Sequence, residues 1–412
     1  METTDTPKVI DTPLAEVHRA AGARMGAWFG CELPDDFGDV REEQRFANES
    51  VALFDKTYRA YLTFTGPDRV RYLNAILTND IKSLAAGHSN VSLLLNPQGR
   101  ILAEIATHAL PDRLLCVSHA MIRARLVEWL DKYIIMDDVT LTDDTDAFGT
   151  FALEGPRAAQ LVRELTATDF AAMADGASLD VAVRHPERGR SAIACRLVRR
   201  VLPSRNSAAK DNKTAGDDNA ANGDDSVASN SLASAESVAN SAEFIAARKD
   251  LPALWKILCD AAKNAGGGPA GYSTLSALRL VQGVPWFGYD FGEKQIPHEA
   301  GLQDSHISYT KGCYTGQEIV ERVRSRGQVN RRRVALRFAD GATEVPAANV
   351  PLSLAGAEVG FVTRAARSFF PPAVLGMGYV RKEGGAVGTI LDCGGGQASV
   401  VTLPFGLEFT PS

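Results

Sequence analysis

Hydrophobic and polar positions alternate or recur along this chain in a way that predicts mixed helix and strand throughout. Tyr61-Leu62-Thr63-Phe64-Thr65 alternates as a half-buried strand does. Gly66-Pro67-Asp68 then opens a helix that carries Val70, Leu73, Ile76 and Leu77 on one face. A unit of the same form returns at Phe151-Ala152-Leu153-Glu154-Gly155-Pro156, where Pro156 can start a helix with Leu161, Val162 and Leu165 on its apolar stripe. Between the two, Ile122, Leu126, Trp129, Leu130 and Tyr133 keep helical spacing, and Val139-Thr140-Leu141-Thr142 alternates as a strand. The repetition predicts two related halves. After about Arg333 the pattern shortens to β segments such as VALRF, EVGFVT, VLGMGYVR and ASVVTLPF, separated by Gly and Pro turns. That tail reads as a small β-barrel or sandwich.

From about Pro203 to Ser241 the chain is nearly all Ala, Ser, Asn, Asp and Gly and has almost nothing to bury. A disordered insertion within a domain is the economical reading, because loop closure entropy rises only slowly with length. The expected organisation is a flexible N-terminus over 1–25, a first α+β region over 26–150, a second over 151–330 and a C-terminal β domain over 331–412.

At 412 residues and 45% apolar content, several packed domains are expected. The net charge of -6 is modest for this length, so no global field draws the chain to DNA or to a membrane surface. No run of roughly 18–20 apolar residues is present to span a bilayer. The acidic, polar start METTDTPKVIDTPLAEVHRA lacks an apolar targeting core, which points to the cytoplasm. Six scattered cysteines without a CxxC pair, and seven histidines without HExxH spacing, lead to the expectation of no bound metal and no disulfide framework.

The most chemically suggestive stretch is Lys311-Gly312-Cys313-Tyr314-Thr315-Gly316-Gln317-Glu318. Its glycines permit a tight loop, and a helix can begin near Thr315. A thiol ahead of a helix N-terminus, with an ammonium two residues away, sits where thiolate is favoured. An arbitrary cysteine is more often a small buried hydrophobe, and a lone lysine a solvated charge, so both readings stand on the residues alone. Arg322, Arg324, Arg326, Arg331, Arg332 and Arg333 follow closely and could receive RNA phosphates or the carboxylates of a cofactor tail. An exposed basic strand face fits them equally, and no aromatic residues interleave with them to stack bases.

The octapeptide KGCYTGQE closely resembles the signature of the YgfZ family, folate-binding relatives of the glycine-cleavage T-protein that support iron–sulfur cluster assembly or repair. The likeness spans about Ala27 to Phe405. Val51-Ala52-Leu53-Phe54-Asp55, Thr65-Gly66-Pro67-Asp68, Leu77-Thr78-Asn79-Asp80 and Leu93-Leu94-Leu95-Asn96-Pro97-Gln98-Gly99 resemble successive T-protein blocks, as do Gly288-Tyr289-Asp290 and Pro297-His298-Glu299-Ala300-Gly301-Leu302. The resemblance implies an α+β ring of three domains around a folate channel: two related halves plus a C-terminal β-barrel. It implies tetrahydrofolate or a derivative as cofactor, iron–sulfur client proteins or assembly factors as partners, and an indirect link to tRNA modification. Cys313 would be the reactive thiol and Lys311 the group that tunes it. Arg279 and Glu243 would contact folate, the guanidinium through carboxylates and the glutamate through the pterin edge. Trp28, Asn96 and Tyr314 complete the implied folate-binding set.

One departure separates the branches. Where T-proteins carry an Asp-Asp pair that includes the catalytic aspartate, this chain reads Ala103-Glu104. A shift of one residue along a strand sends a carboxylate to the opposite face, so loss of aminomethyl transfer is the expectation. The enzyme alternative is a tetrahydrofolate-dependent aminomethyltransferase in which Glu104 stands in for the aspartate. An RNA-binding or scaffolding module built on the arginine run is a third reading.

Overall fold

The computed structural model describes residues 9–184, 192–200, 241–327, 329–339 and 344–405. The expected insertion at about 203–241 lies outside them except for Ser241. Two antiparallel-rich sheets and a closed barrel make up the frame. In the first sheet the strands run in the order Ser89–Leu95, Ile101–Ala109, Leu114–His119, Arg59–Thr65 and Thr140–Asp143. In the second the order is Ser178–Arg184, Ala192–Arg199, Ala242–Ala247, Phe148–Glu154, Ala52–Asp55 and Gly268–Pro269. Ala52–Asp55 precedes the first sheet in the chain yet pairs with Phe148–Glu154, so the two sheets are interleaved in sequence. Six strands between Arg331 and Val401 close the C-terminal barrel. This is the expected α/β architecture with a terminal barrel.

Local sequence explains the helices that back the sheets. In Ala158–Thr166, Ala158, Leu161, Val162 and Leu165 recur at helical spacing and are all buried against the second sheet. The helix over Leu251–Asn264 buries Leu254, Trp255, Leu258, Ala261 and Ala262 in the same core. Burial of each such large side chain contributes about 1.5–3 kcal/mol. Pairing begins early in the chain: Ile10–Asp11 joins Cys31–Asp36, and the intervening helix Ala15–Ala20 plants His18, fully buried, on Asp55 at 2.8 Å.

The barrel is fastened to the body by the Gly288-Tyr289-Asp290 block. Asp290 Oδ2 accepts Arg364 Nη2–H at 2.7 Å and Nε–H at 3.1 Å and the Trp286 amide at 2.8 Å, and Oδ1 accepts Thr363 Oγ1–H at 2.7 Å. The Arg364 guanidinium also lies 4.1 Å from the Trp286 ring centre. Arg364 and Asp290 are both buried, so this fastening is fully desolvated.

Candidate active site

A cavity opens where both sheets, the helix Tyr272–Gln282 and the segment 284–306 meet. Its volume is about 170 Å³. Its floor on the first sheet comes from strand alternation. Ile101, Ala103 and Ile105 point into the apolar core, and Glu104, Ala106 and His108 therefore point into the cavity. The expected loss of the carboxylate is thus corrected: the Glu of Ala103-Glu104 occupies the cavity face, and it is the Ala that faces the core.

Charged side chains crowd the wall formed by the second sheet. Lys56 Nζ donates to Glu154 Oε1 at 3.1 Å and to Glu243 Oε1 at 3.0 Å. Arg59 grips Glu243 with both Nη groups, at 2.6 and 2.7 Å. Arg279 Nη2 bonds Glu154, while its Nη1 donates to Gln282 Oε1 at 2.9 Å. Burial alone would raise the Glu243 carboxyl, but the charges of Arg59, Lys56 and Arg200 overcome it and hold the group well below the usual range. Glu154 is depressed in the same way, with Arg279 and Lys56 outweighing its burial. Such a network is costly to desolvate and costlier to break, because loss of one partner strands another charge.

Glu104 and three histidines, His108, His119 and His306, supply further polar lining. His306 Nε2 lies 3.1 Å from Glu104 Oε1, and its Nδ1 lies 2.7 Å from Ser305 Oγ. Burial pushes Glu104 up, but the hydrogen bond and charge of His306, with His119 and Arg200 adding to them, hold it below the ordinary carboxylate range. Burial lowers both His108 and His119 to about 4, so both are neutral at pH 7. Among the described residues, neither has a hydrogen-bond partner for its buried Nδ1. Phe29, Tyr58, Trp286 and Phe287 give the lining its aromatic surface.

The nominated residues separate into two groups. Arg279 and Glu243 line the cavity, but both are tied to neighbouring charges, so neither projects an idle group at a ligand. Trp28 is not among the lining residues; it donates Nε1–H to Asp35 Oδ1 at 2.6 Å and stacks on Tyr272. Asn96 builds its own turn, its Oδ1 accepting the Gln98 and Arg100 amides at 3.0 and 2.9 Å. Gly316, at φ +81°, approaches the Asn96 carbonyl so closely that a Cβ would lie 2.6 Å from it. Tyr314 belongs to the core under the first sheet.

Lys311 is engaged with backbone carbonyls. Its ammonium donates to the carbonyls of Asn74, Leu77 and Asn79 at the end of the helix Arg69–Ile76, where unpaired carbonyls collect. Burial, opposed by Asp80, pulls it down to about 8. Cys313 is exposed and is not part of the cavity lining, whereas four of the other five cysteines are buried. The following helix starts at Gln317, four residues beyond the thiol. The arginine run is largely absorbed into the fold: Arg331 pairs with Glu299, Arg332 with the Gly385 carbonyl, Arg333 with the Ala300 carbonyl, and Arg324 lies over Tyr309.

Sequence reasoning missed His306, Ser305, Lys56 and Arg59. No motif flags them: His306, Lys56 and Arg59 acquire meaning only from partners far away in sequence, and Ser305 only through its neighbour His306.

Residues 14–182 match the family described as the GCVT N-terminal domain. The chain is 25% identical over 395 residues to an aminomethyltransferase of Rubrobacter xylanophilus, covering 96% of this chain and 93% of the relative. It is 26% identical over 400 residues to an aminomethyltransferase of Streptomyces avermitilis, covering 96% of each. The crystal structure of the glycine cleavage system aminomethyltransferase T from Bartonella henselae superposes with a TM-score of 0.76 at 20% identity, over 96% of this chain and 98% of that one. The fold is therefore that of the glycine-cleavage T-protein. The matched domain and the relatives support the T-protein superfamily, and the narrower YgfZ likeness rests on the octapeptide. Among the described residues no helix is long and apolar enough to cross a membrane, and no group of three or more His, Cys, Asp or Glu side chains is arranged to hold a metal ion.

Proposed function

We propose that this protein binds a reduced folate in the cavity and acts there as an aminomethyltransferase-type enzyme, with Glu104 as its acid–base carboxylate. The observation that carries the reading is the placement of Glu104 on the cavity face, opposite the charged wall. The lining suits a flat heteroaromatic ring with polar edges: aromatic faces from Phe29, Tyr58, Trp286 and Phe287, and unpartnered ring nitrogens on His108 and His119. Tetrahydrofolate, when bound, supplies a nucleophilic nitrogen that accepts a one-carbon unit. As the carbon leaves the carrier sulfur and its amine for two folate nitrogens, two protons are released: Glu104 would take up one and deliver it to the departing amine as ammonia, and the other would go to the freed carrier thiolate. The ionised state of Glu104 at neutral pH, sustained by His306, suits the first of these tasks. The cluster of Lys56, Arg59, Arg279, Glu154 and Glu243 keeps the wall rigid and Glu243 ionised.

The test is tetrahydrofolate-dependent release of ammonia from an aminomethyl-loaded lipoyl carrier protein. Glu104→Gln is expected to lower turnover about 10²- to 10⁴-fold while a reduced folate still binds by calorimetry. Absent turnover in the unaltered protein, or full turnover in the variant, would sink the proposal.

A second reading has its own observation. Cys313 is exposed on the loop that most resembles the YgfZ signature, and an outward thiol suits an accessory role toward iron–sulfur proteins. Replacement of Cys313 by Ala in cells, followed by assay of aconitase-type enzymes under oxidative stress, tests it; unchanged activities reject it.

A further inference from the structure

His306 is fixed more thoroughly than any other polar side chain at the cavity floor. Its backbone carbonyl accepts Thr78 Oγ1–H at 2.7 Å, and Thr78 Oγ1 in turn accepts the Leu93 amide at 2.8 Å. Thr78 is fully buried, so the Leu77-Thr78-Asn79-Asp80 block anchors the turn Gln303–His306 against the strand Ser89–Leu95. The ring is then held on both sides, by Ser305 Oγ at Nδ1 and Glu104 Oε1 at Nε2. A carboxylate only accepts, so Nε2 carries the hydrogen in the neutral ring and Nδ1 accepts the Ser305 hydroxyl hydrogen. Glu104 Oε2 accepts no hydrogen bond among the described residues, although its carboxylate stands at the cavity.

We propose that His306 is a positioning residue for Glu104: clamped by Ser305 and by its Thr78-anchored backbone, it holds Oε1 so that Oε2 faces the ligand. This rests on the reading of Glu104 as the working carboxylate. No bond to His306 is made or broken in the role proposed for it; the proton exchanged with the ligand travels to and from Oε2. The other charged or titratable groups that act on Glu104 are His119 from the neighbouring strand and Arg200 from the second sheet. His108 shares its strand. His119 is neutral at pH 7 and Arg200 remains when His306 is replaced, so loss of His306 isolates its own contribution.

The experiment uses the full chain and two independent readouts. In ¹⁵N-histidine NMR, Glu104→Gln and Ser305→Ala are each expected to change the ratio of the neutral tautomers of His306. In carrier-dependent turnover, His306→Ala is expected to lower kcat on the order of tenfold to a hundredfold with KM within about twofold, and to move the acid limb of the pH profile upward. His306→Gln, whose amide can still donate to Oε1, is expected to recover part of kcat but not the limb. A His306 tautomer ratio indifferent to both Glu104→Gln and Ser305→Ala in the folded protein overturns the proposal. If the unaltered protein shows no turnover but the tautomer ratio responds to Glu104→Gln, the transferase reading fails while the His306–Glu104 coupling stands.

Discussion

The cavity and the octapeptide loop both bring charge inward, and they put it to opposite uses. In the cavity wall, cations face carboxylates, as where Lys56 meets Glu154 and Glu243. At the cavity floor, Glu104 Oε2 and the Nδ1 atoms of His108 and His119 retain capacity for a ligand. In the loop, the Lys311 ammonium is saturated by three backbone carbonyls, and Gly316 serves a close chain approach. The contrast teaches that a specific motif can mark a structural joint, while the groups with spare bonding capacity lie elsewhere, on positions that no short pattern connects.

The sharpest way to break that contrast is in the wall. Glu154→Ala leaves Lys56 and Arg279 without a shared partner in a buried setting, and is expected to cost about 3–5 kcal/mol by urea unfolding. A cost near zero would mean that the wall is solvated. Lys311→Met should follow, at about 1–3 kcal/mol, because buried helix-end carbonyls lose their donor. If Lys311→Met instead left stability intact but abolished a function of Cys313, the loop would be chemical after all.

The pH dependence comes next. His108 and His119 titrate near 4 when folded and near 6.5 when unfolded, so between those values the unfolded chain binds more protons. Stability therefore rises with pH across that window and is fully present above it. Each histidine contributes a slope of up to about 1.4 kcal/mol per pH unit, and His119→Phe should remove one such share from the slope of unfolding free energy against pH. The smallest effect belongs to Cys313→Ala, expected within about 0.5 kcal/mol because the side chain is exposed. A larger loss would place the thiol in the loop's packing.

Much of the frame was readable before any coordinates. Period-two alternation located the strand at Tyr61–Thr65 within the observed Arg59–Thr65, and Pro156 correctly anticipated the helix Ala158–Thr166. The terminal barrel followed from its short, turn-bounded segments. The site was readable only in part. Arg279 and Glu243 do line the cavity, but their ion pairs with Glu154 and Arg59 span 125 and 184 residues, and nothing local signals them. Alternation tells which residues share a side and cannot tell which side is the core, so the cavity-facing placement of Glu104 is not legible in its strand alone. Lys311 stands two residues from Cys313 in sequence, whereas its ammonium reaches carbonyls more than 230 residues away, and nothing local signals them.

The fastening of Asp290 to Thr363 and Arg364 has a consequence for how the molecule comes apart. Because that carboxylate is enclosed by donors from both the body and the barrel, separating the two would leave a bare ion in an apolar seam. Heating should thus melt barrel and body in one calorimetric transition, and Asp290→Asn should split it into two, turning one cooperative object into a pair of loosely jointed ones.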